Sequence, residues 1–130
     1  MTNKISIICM SGEHEKLQMA AMVASVGAAS GDDVTVFFSM NAMKYFVKGN
    51  EDAAPAEGDF GTSVLGREGV PPFRELFQQA AELGDAALLP CSMAMDLLEL
   101  KDGDLMGEFG PSTGLTKFLS DAEGSQILTF

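Results

Sequence analysis

A small three-layer α/β sandwich, with a mainly parallel, flavodoxin-like sheet and helices on both faces, is the fold that the sequence predicts. Three observations carry the prediction. At 130 residues, 46% of them hydrophobic, the chain has material for one core and too little for two independent ones, so residues 1–130 are read as a single domain. Short apolar or β-branched runs alternate with longer segments of helical period, the order that yields parallel strands joined by right-handed crossovers. The first of these runs is apolar almost without interruption, as a strand covered on both faces must be.

Ile5 to Met10 is that first strand. After Ser11 and Gly12, a helix from Glu13 to Ser30 opens with acidic residues, which suit the positive end of its dipole, and closes at Gly31. Leu17, Ala20, Ala21, Ala24 and Ala28 trace one stripe of it, while Met19, Met22, Val23 and Val26 fill the rest of the cylinder. Such a helix needs more than one covering surface: the sheet on one side, and a subunit contact or a buried intramolecular position on the other. Val34 to Phe38 is a second strand and Asn41 to Lys48 a short helix.

From Gly49 to Pro72 the composition turns to Gly, Ala, Pro and acid, with Glu51, Asp52, Glu57, Asp59 and Glu68 facing only Arg67. This long acidic loop, at about 49–70, is read as mobile surface, with a lid or an oligomer arm as the functional alternatives. Pro72 suits the first turn of a helix running to about Leu83, with Phe73, Leu76, Phe77 and Ala80 on one side. Ala86 to Pro90 is a third strand and Ser92 to Leu100 a helix, with Cys91 at their junction. A connection from Lys101 to Pro111 leads to a helix capped by Ser112 and reaching about Ala122, and Gln126 to Phe130 is the last strand.

Nineteen acidic residues against eight basic ones give a net charge of -11. That charge repels phosphate backbones and anionic bilayers, so no nucleic acid and no membrane insertion is expected, and a basic protein is the charge-compatible partner. Leu17 to Ala29, the longest apolar segment, falls short of the roughly 20 residues that cross a bilayer. No export signal is visible near the start, and two cysteines do not make a disulfide framework. A cytoplasmic location is the expectation.

In a parallel sheet the reaction site lies beyond the carboxyl ends of the strands, where Cys9, Met10, Ser39 and Cys91 fall. Cys91 is the candidate nucleophile, since the first-turn amides of the following helix stabilise a thiolate; the plainer alternative is a small buried hydrophobe. Its sulfur is expected to lie open to solvent. Cys9 is read first as a packed core thiol. With strands one and three as neighbours it also becomes a possible second thiol, close enough to resolve an oxidised Cys91.

Met10, Ser92, Met93 and Met95 are assigned to the rim, with Met40 and Met43 near the same edge; methionine there shelters an adduct or docks a partner, or else fills core gaps. His14, the only histidine, is read as a solvated helix-start residue. No CxxC, HExxH, GxSxG or glycine-rich dinucleotide loop is present, so no metal and no cofactor is expected and hydrolysis is unsupported. Gly110 to Gly114 is read as a capping loop rather than an anion cradle.

Lys4-Ile5-Ser6-Ile7-Ile8, Phe37-Phe38, the Phe73 to Leu83 helix and above all Leu89-Pro90-Cys91-Ser92-Met93-Ala94-Met95-Asp96-Leu97-Leu98 resemble the DsrE/DsrF-like sulfur carrier family, of DsrE/TusD type. The resemblance implies α/β subunits assembled as a homo-oligomer, a trimer or hexamer, that carry sulfur on a cysteine within a Cys-x-Met-x-Met-Asp-like segment. Cys91 matches that position. It further implies exchange of a persulfide or thiosulfonate with a TusA-like sulfur carrier and delivery to downstream sulfur-accepting proteins. A sulfur carrier or sulfurtransferase is thus the leading expectation. Its rivals are a non-catalytic oligomeric assembly or regulatory module, in which Cys91 is merely packed, and a two-cysteine redox protein using Cys9 and Cys91.

Overall fold

The computed structural model describes residues 3–64 and 67–130. Leu65 and Gly66 of the expected loop, like Met1 and Thr2, lie outside the described residues. Strands β1 (Lys4–Cys9), β2 (Asp33–Phe38), β3 (Ala87–Pro90) and β4 (Gln126–Thr129) form one wholly parallel sheet in the order β3-β2-β1-β4. The helices are α1 (His14–Ala29), α2 (Asp59–Val64), α3 (Phe73–Gly84), α4 (Ser92–Leu97) and α5 (Leu115–Asp121), with 3-10 turns at Met40–Phe46 and Asp102–Asp104.

Alternation along β2 makes the three layers. Successive strand residues point to opposite faces. Phe38 meets Phe46, Phe77 and Phe109 at centroid distances of 4.7, 4.9 and 4.8 Å, whereas Phe37 stacks on Phe118 of α5 at 4.7 Å on the other side. On the α3 side, α1 buries Leu17, Ala20, Ala21, Ala24, Gly27 and Ala28. There α1 and α3 approach so closely that a Cβ on Gly84 would collide with that of Ala28. Met19, Met22 and Val26 on the outer side of α1 stay exposed.

The expected parallel α/β sandwich is present, but strands one and three are not neighbours: β2 lies between them. Right-handed crossovers explain the order. Two steps in one direction, β1 to β2 to β3, put their helices on one face, and a return past β1 to β4 puts α5 on the other. Three helix expectations also shift. The segment after β2 is a 3-10 turn, α4 stops at Leu97, with Glu99 in the left-handed region at φ 56, and α5 starts at Leu115 behind Gly114, not behind Ser112.

The acidic segment is hydrogen-bonded to α1 and α3 in the part preceding α2. Ala54 is buried, and Pro55 O accepts the His14 N–H at 2.8 Å. The Glu15 carboxylate accepts the Glu57 N–H at 2.8 and 3.0 Å and the Gly58 N–H at 3.3 Å. Farther along the chain, Arg74 Nη2 donates to Asp52 O at 2.7 Å and Gln18 Nε2 to Pro71 O at 2.8 Å. The Glu57 N–H above all holds the Glu15 carboxyl below its ordinary value of 4.5. A carboxylate with a depressed pKa supports docking above that ordinary value and loses it as pH falls through the depressed one. Glu15→Ala is therefore expected to speed amide hydrogen exchange at Glu57 and Gly58 roughly tenfold at neutral pH. Acidification through the depressed value should lower the protection of the same amides in the wild type, taken against the intrinsic exchange rate at each pH, and unchanged protection in the variant would contradict the anchor.

Candidate functional site

Cys91 follows β3 and precedes α4, as expected. Its N–H donates to Phe38 O at 2.8 Å and its carbonyl accepts the Met95 N–H at 2.9 Å. Thr113 N–H donates to Pro90 O at 2.8 Å and Ser92 N–H to Thr113 O at 3.0 Å, which makes Cys91 and Thr113 a parallel bridge pair. Leu88 and Phe109 form a second such bridge, with Gly110 N–H on Leu88 O at 2.8 Å. The chain from Phe109 to Thr113 thus runs beside the free edge of β3 and alongside the cysteine. This overturns the open thiol: Cys91 is only 6% exposed. Among the described backbone hydrogen bonds, the Met93 and Ala94 N–H groups at the start of α4 donate to no carbonyl.

The other candidates separate. Cys9 is fully buried, and burial pushes its thiol up to about 12. It pairs across the sheet with Phe38, which pairs in turn with Pro90. Two strand spacings, roughly 9–10 Å, separate the Cys9 and Cys91 rows, beyond the roughly 7 Å that a disulfide spans between Cα atoms. The intervening β2 therefore removes the two-thiol arrangement within one subunit. Met93 is exposed and Ser92 half-buried beside Cys91, but Met95 is core, at 3% exposure, because its helix turn faces inward. Met10 and Met40 are exposed while Met43 is buried.

Met10 and Met40 line a different feature, a pocket of about 480 Å³ with Lys16, Lys44, Tyr45 and Phe130 among its walls. Cys91 is not one of its lining residues. Sequence reading passed over these two lysines; their scarcity, two of only eight basic residues, was the available signal. His14 also departs from expectation. It is buried, its ring lies edge-on to Phe73 at 6.2 Å, and neither ring nitrogen has a hydrogen-bond partner. Attachment of Pro55 to the His14 N–H brings the acidic segment over a residue that helix position alone would leave in water.

Relatives place this geometry in context. The fold matches the ychN protein from E. coli, with a TM-score of 0.70 and 14% identity over all of both chains. It also matches MTH1491 from Methanobacterium thermoautotrophicum, a protein of unknown function, with a TM-score of 0.57 and 10% identity, again over all of both chains. In sequence, the uncharacterized protein YrkE of Bacillus subtilis (strain 168) is 24% identical over an alignment of 157 residues, covering 99% of this chain and 97% of the relative. The model of the DsrE/DsrF/DrsH-like family matches residues 56–130, a span that includes Cys91 and excludes Cys9. Because that match takes in more than half of the chain, together with the junction built around Cys91, the chain belongs to the DsrE/DsrF/DrsH-like family.

Proposed function

We propose that this protein is a sulfur carrier or sulfurtransferase that holds sulfane sulfur on Cys91 and passes it to protein thiols. The position of Cys91 carries the reading: a cysteine at the carboxyl edge of the sheet, within the family match, ahead of a helix whose Met93 and Ala94 N–H groups are free to meet an anionic sulfur. A Cys91 thiolate attacks the outer sulfur of a donor persulfide; the new S–S bond forms as the old one breaks, and the donor leaves as a thiolate with the electron pair. An acceptor thiolate then attacks the outer sulfur of the Cys91 persulfide and releases Cys91 as a thiolate, with no net oxidation. Loading requires the Phe109 to Thr113 segment to yield, since it runs beside a cysteine that is 6% exposed.

The surroundings of this step follow from the surface. The acidic chain suits a basic partner, of which a small TusA-like carrier and a downstream sulfur acceptor are the classes that fit the chemistry. Met19, Met22 and Val26 on α1 supply an apolar face for a homo-oligomer, and exchange of this kind belongs in the cytoplasm. One observation favours the rival non-catalytic assembly module: the near-complete burial of Cys91.

Tetrathionate separates the two readings. A thiolate displaces thiosulfate from it and keeps the remaining –S–SO₃⁻ as a Cys91 thiosulfonate. Intact mass spectrometry should show that gain for the native wild type and for Cys9→Ser, and none for Cys91→Ser. An inert native chain that reacts only after denaturation would establish the packed module instead.

A further inference from the structure

The sheet reverses its direction of growth between β1 and β4, because the chain leaves β1 toward β2 and returns on the opposite side to β4. At such a switch point the crevice outside the carboxyl ends is the usual ligand site of an open α/β sheet. A pocket of about 480 Å³ occupies this crevice, within the range of roughly 300–1,000 Å³ typical of small-molecule sites. Its walls come from the turn after β1 and the first turn of α1, from the 3-10 turn after β2, from Pro55 of the acidic segment and from Phe130 beyond β4.

Charge and donors in the pocket point the same way. Lys16 and Lys44, two of the eight basic residues of a chain with net charge -11, line it against one acid, Glu13. Glu13 Oε2 lies 3.7 Å from Lys16 Nζ. Lys44 has no ion pair among the described residues, and its Nζ stands 5.3 Å over the Tyr45 ring. Met10 and Ser11 both spend their N–H groups on Phe130 O, at 2.9 and 3.2 Å, while the Gly12 N–H donates to no acceptor among the described residues. Met40 holds a left-handed backbone at φ 51 on the rim, a strained conformation of the kind that collects at ligand sites. Met10, Tyr45 and Phe130 supply apolar wall.

We propose that this pocket binds a small organic anion, with its carboxylate or sulfonate head between Lys16 and Lys44 and its apolar body against Met10 and Phe130. The inference is independent of sulfur carriage, since Cys91 lies outside the walls. Benzenesulfonate and benzoate are the probes, titrated into the full chain and followed by amide NMR, with neutral benzamide and inorganic sulfate as controls. Saturable shifts at Gly12, Met40 and Asn41 with either aryl anion are expected, and the tighter probe identifies the head group. Lys16→Gln with Lys44→Gln should weaken binding about tenfold or more, and Glu13→Gln should tighten it by removing the opposing charge. Absence of saturable shifts at these amides, equal binding of benzamide, or unchanged affinity in a folded double-lysine variant would overturn the proposal. Sulfate binding as tightly as benzenesulfonate would overturn the organic body.

Discussion

Phe38→Ala lowers the free energy of unfolding by about 3–5 kcal/mol, the cost of removing a fully buried aromatic ring and leaving its cavity. Phe38 is wholly buried and touches rings from three other parts of the chain: Phe46 in the 3-10 turn, Phe77 in α3, and Phe109 in the segment beside β3. Those neighbours are held by separate elements, so none can collapse into the vacated space without dragging its own element along. Such a loss is a large share of the roughly 5–15 kcal/mol that holds a domain folded. Urea unfolding checks the value, and a loss below about 1 kcal/mol would show that the ring is not the packing centre described here. Phe38 also accepts the Cys91 N–H through its carbonyl at 2.8 Å, so Phe38→Leu, which keeps the strand filled, is the control that separates core loss from loss of the site.

Cys9 gives the protein an alkaline limit. Its thiol is pushed by burial from 9.0 to about 12 in the folded chain, so the unfolded chain releases that proton first as pH rises. The sign follows: fewer protons bound in the unfolded state means stability falls with pH, beginning near 9 and ceasing to fall near 12. The slope approaches about 1.4 kcal/mol per pH unit within that window. Between about pH 8 and about pH 10 the wild type should therefore lose about 1.4 kcal/mol more than Cys9→Ala, whose other titrating groups are the same. Parallel pH dependence of the two chains would mean that Cys9 is solvated and its burial misplaced.

Much of the architecture was legible because burial leaves a pattern in sequence. Ile5 to Cys9 and Val34 to Phe38 are apolar except at Ser6 and Thr35 because both faces are covered, and Phe73, Leu76, Phe77 and Ala80 keep helical spacing because α3 covers the sheet on one side. Strand order left no such trace. A run of apolar residues in a parallel strand records that it is buried, not which strand lies beside it; that depends on the direction of each crossover, and the supposed Cys9–Cys91 neighbourhood failed there.

Cys91 itself was legible as a strand-to-helix junction. Its burial was not: the segment from Phe109 to Thr113 reaches it through backbone bridges, and backbone hydrogen bonds are nearly blind to side-chain identity. Thr113 rather than Ser112 enters that bridge, so the residue that looked like a helix cap belongs next to one committed to the sheet edge. The burial of His14 and the ties of the acidic segment left no trace in the sequence for the same reason: a carboxylate at position 15 gathers the Glu57 and Gly58 N–H groups from 42 and 43 residues away, a distance that local composition does not register.

Peptide mapping by tandem mass spectrometry, on native protein loaded with tetrathionate and then quenched, addresses sulfur carriage at the level of a single atom. Sulfur carriage on Cys91 predicts the thiosulfonate on the peptide that contains Cys91, an unmodified Cys9, and return of Cys91 to the free thiol when an acceptor thiol is added. Modification of Cys9 in place of Cys91, or no modification of either cysteine until the fold is lost, would contradict it.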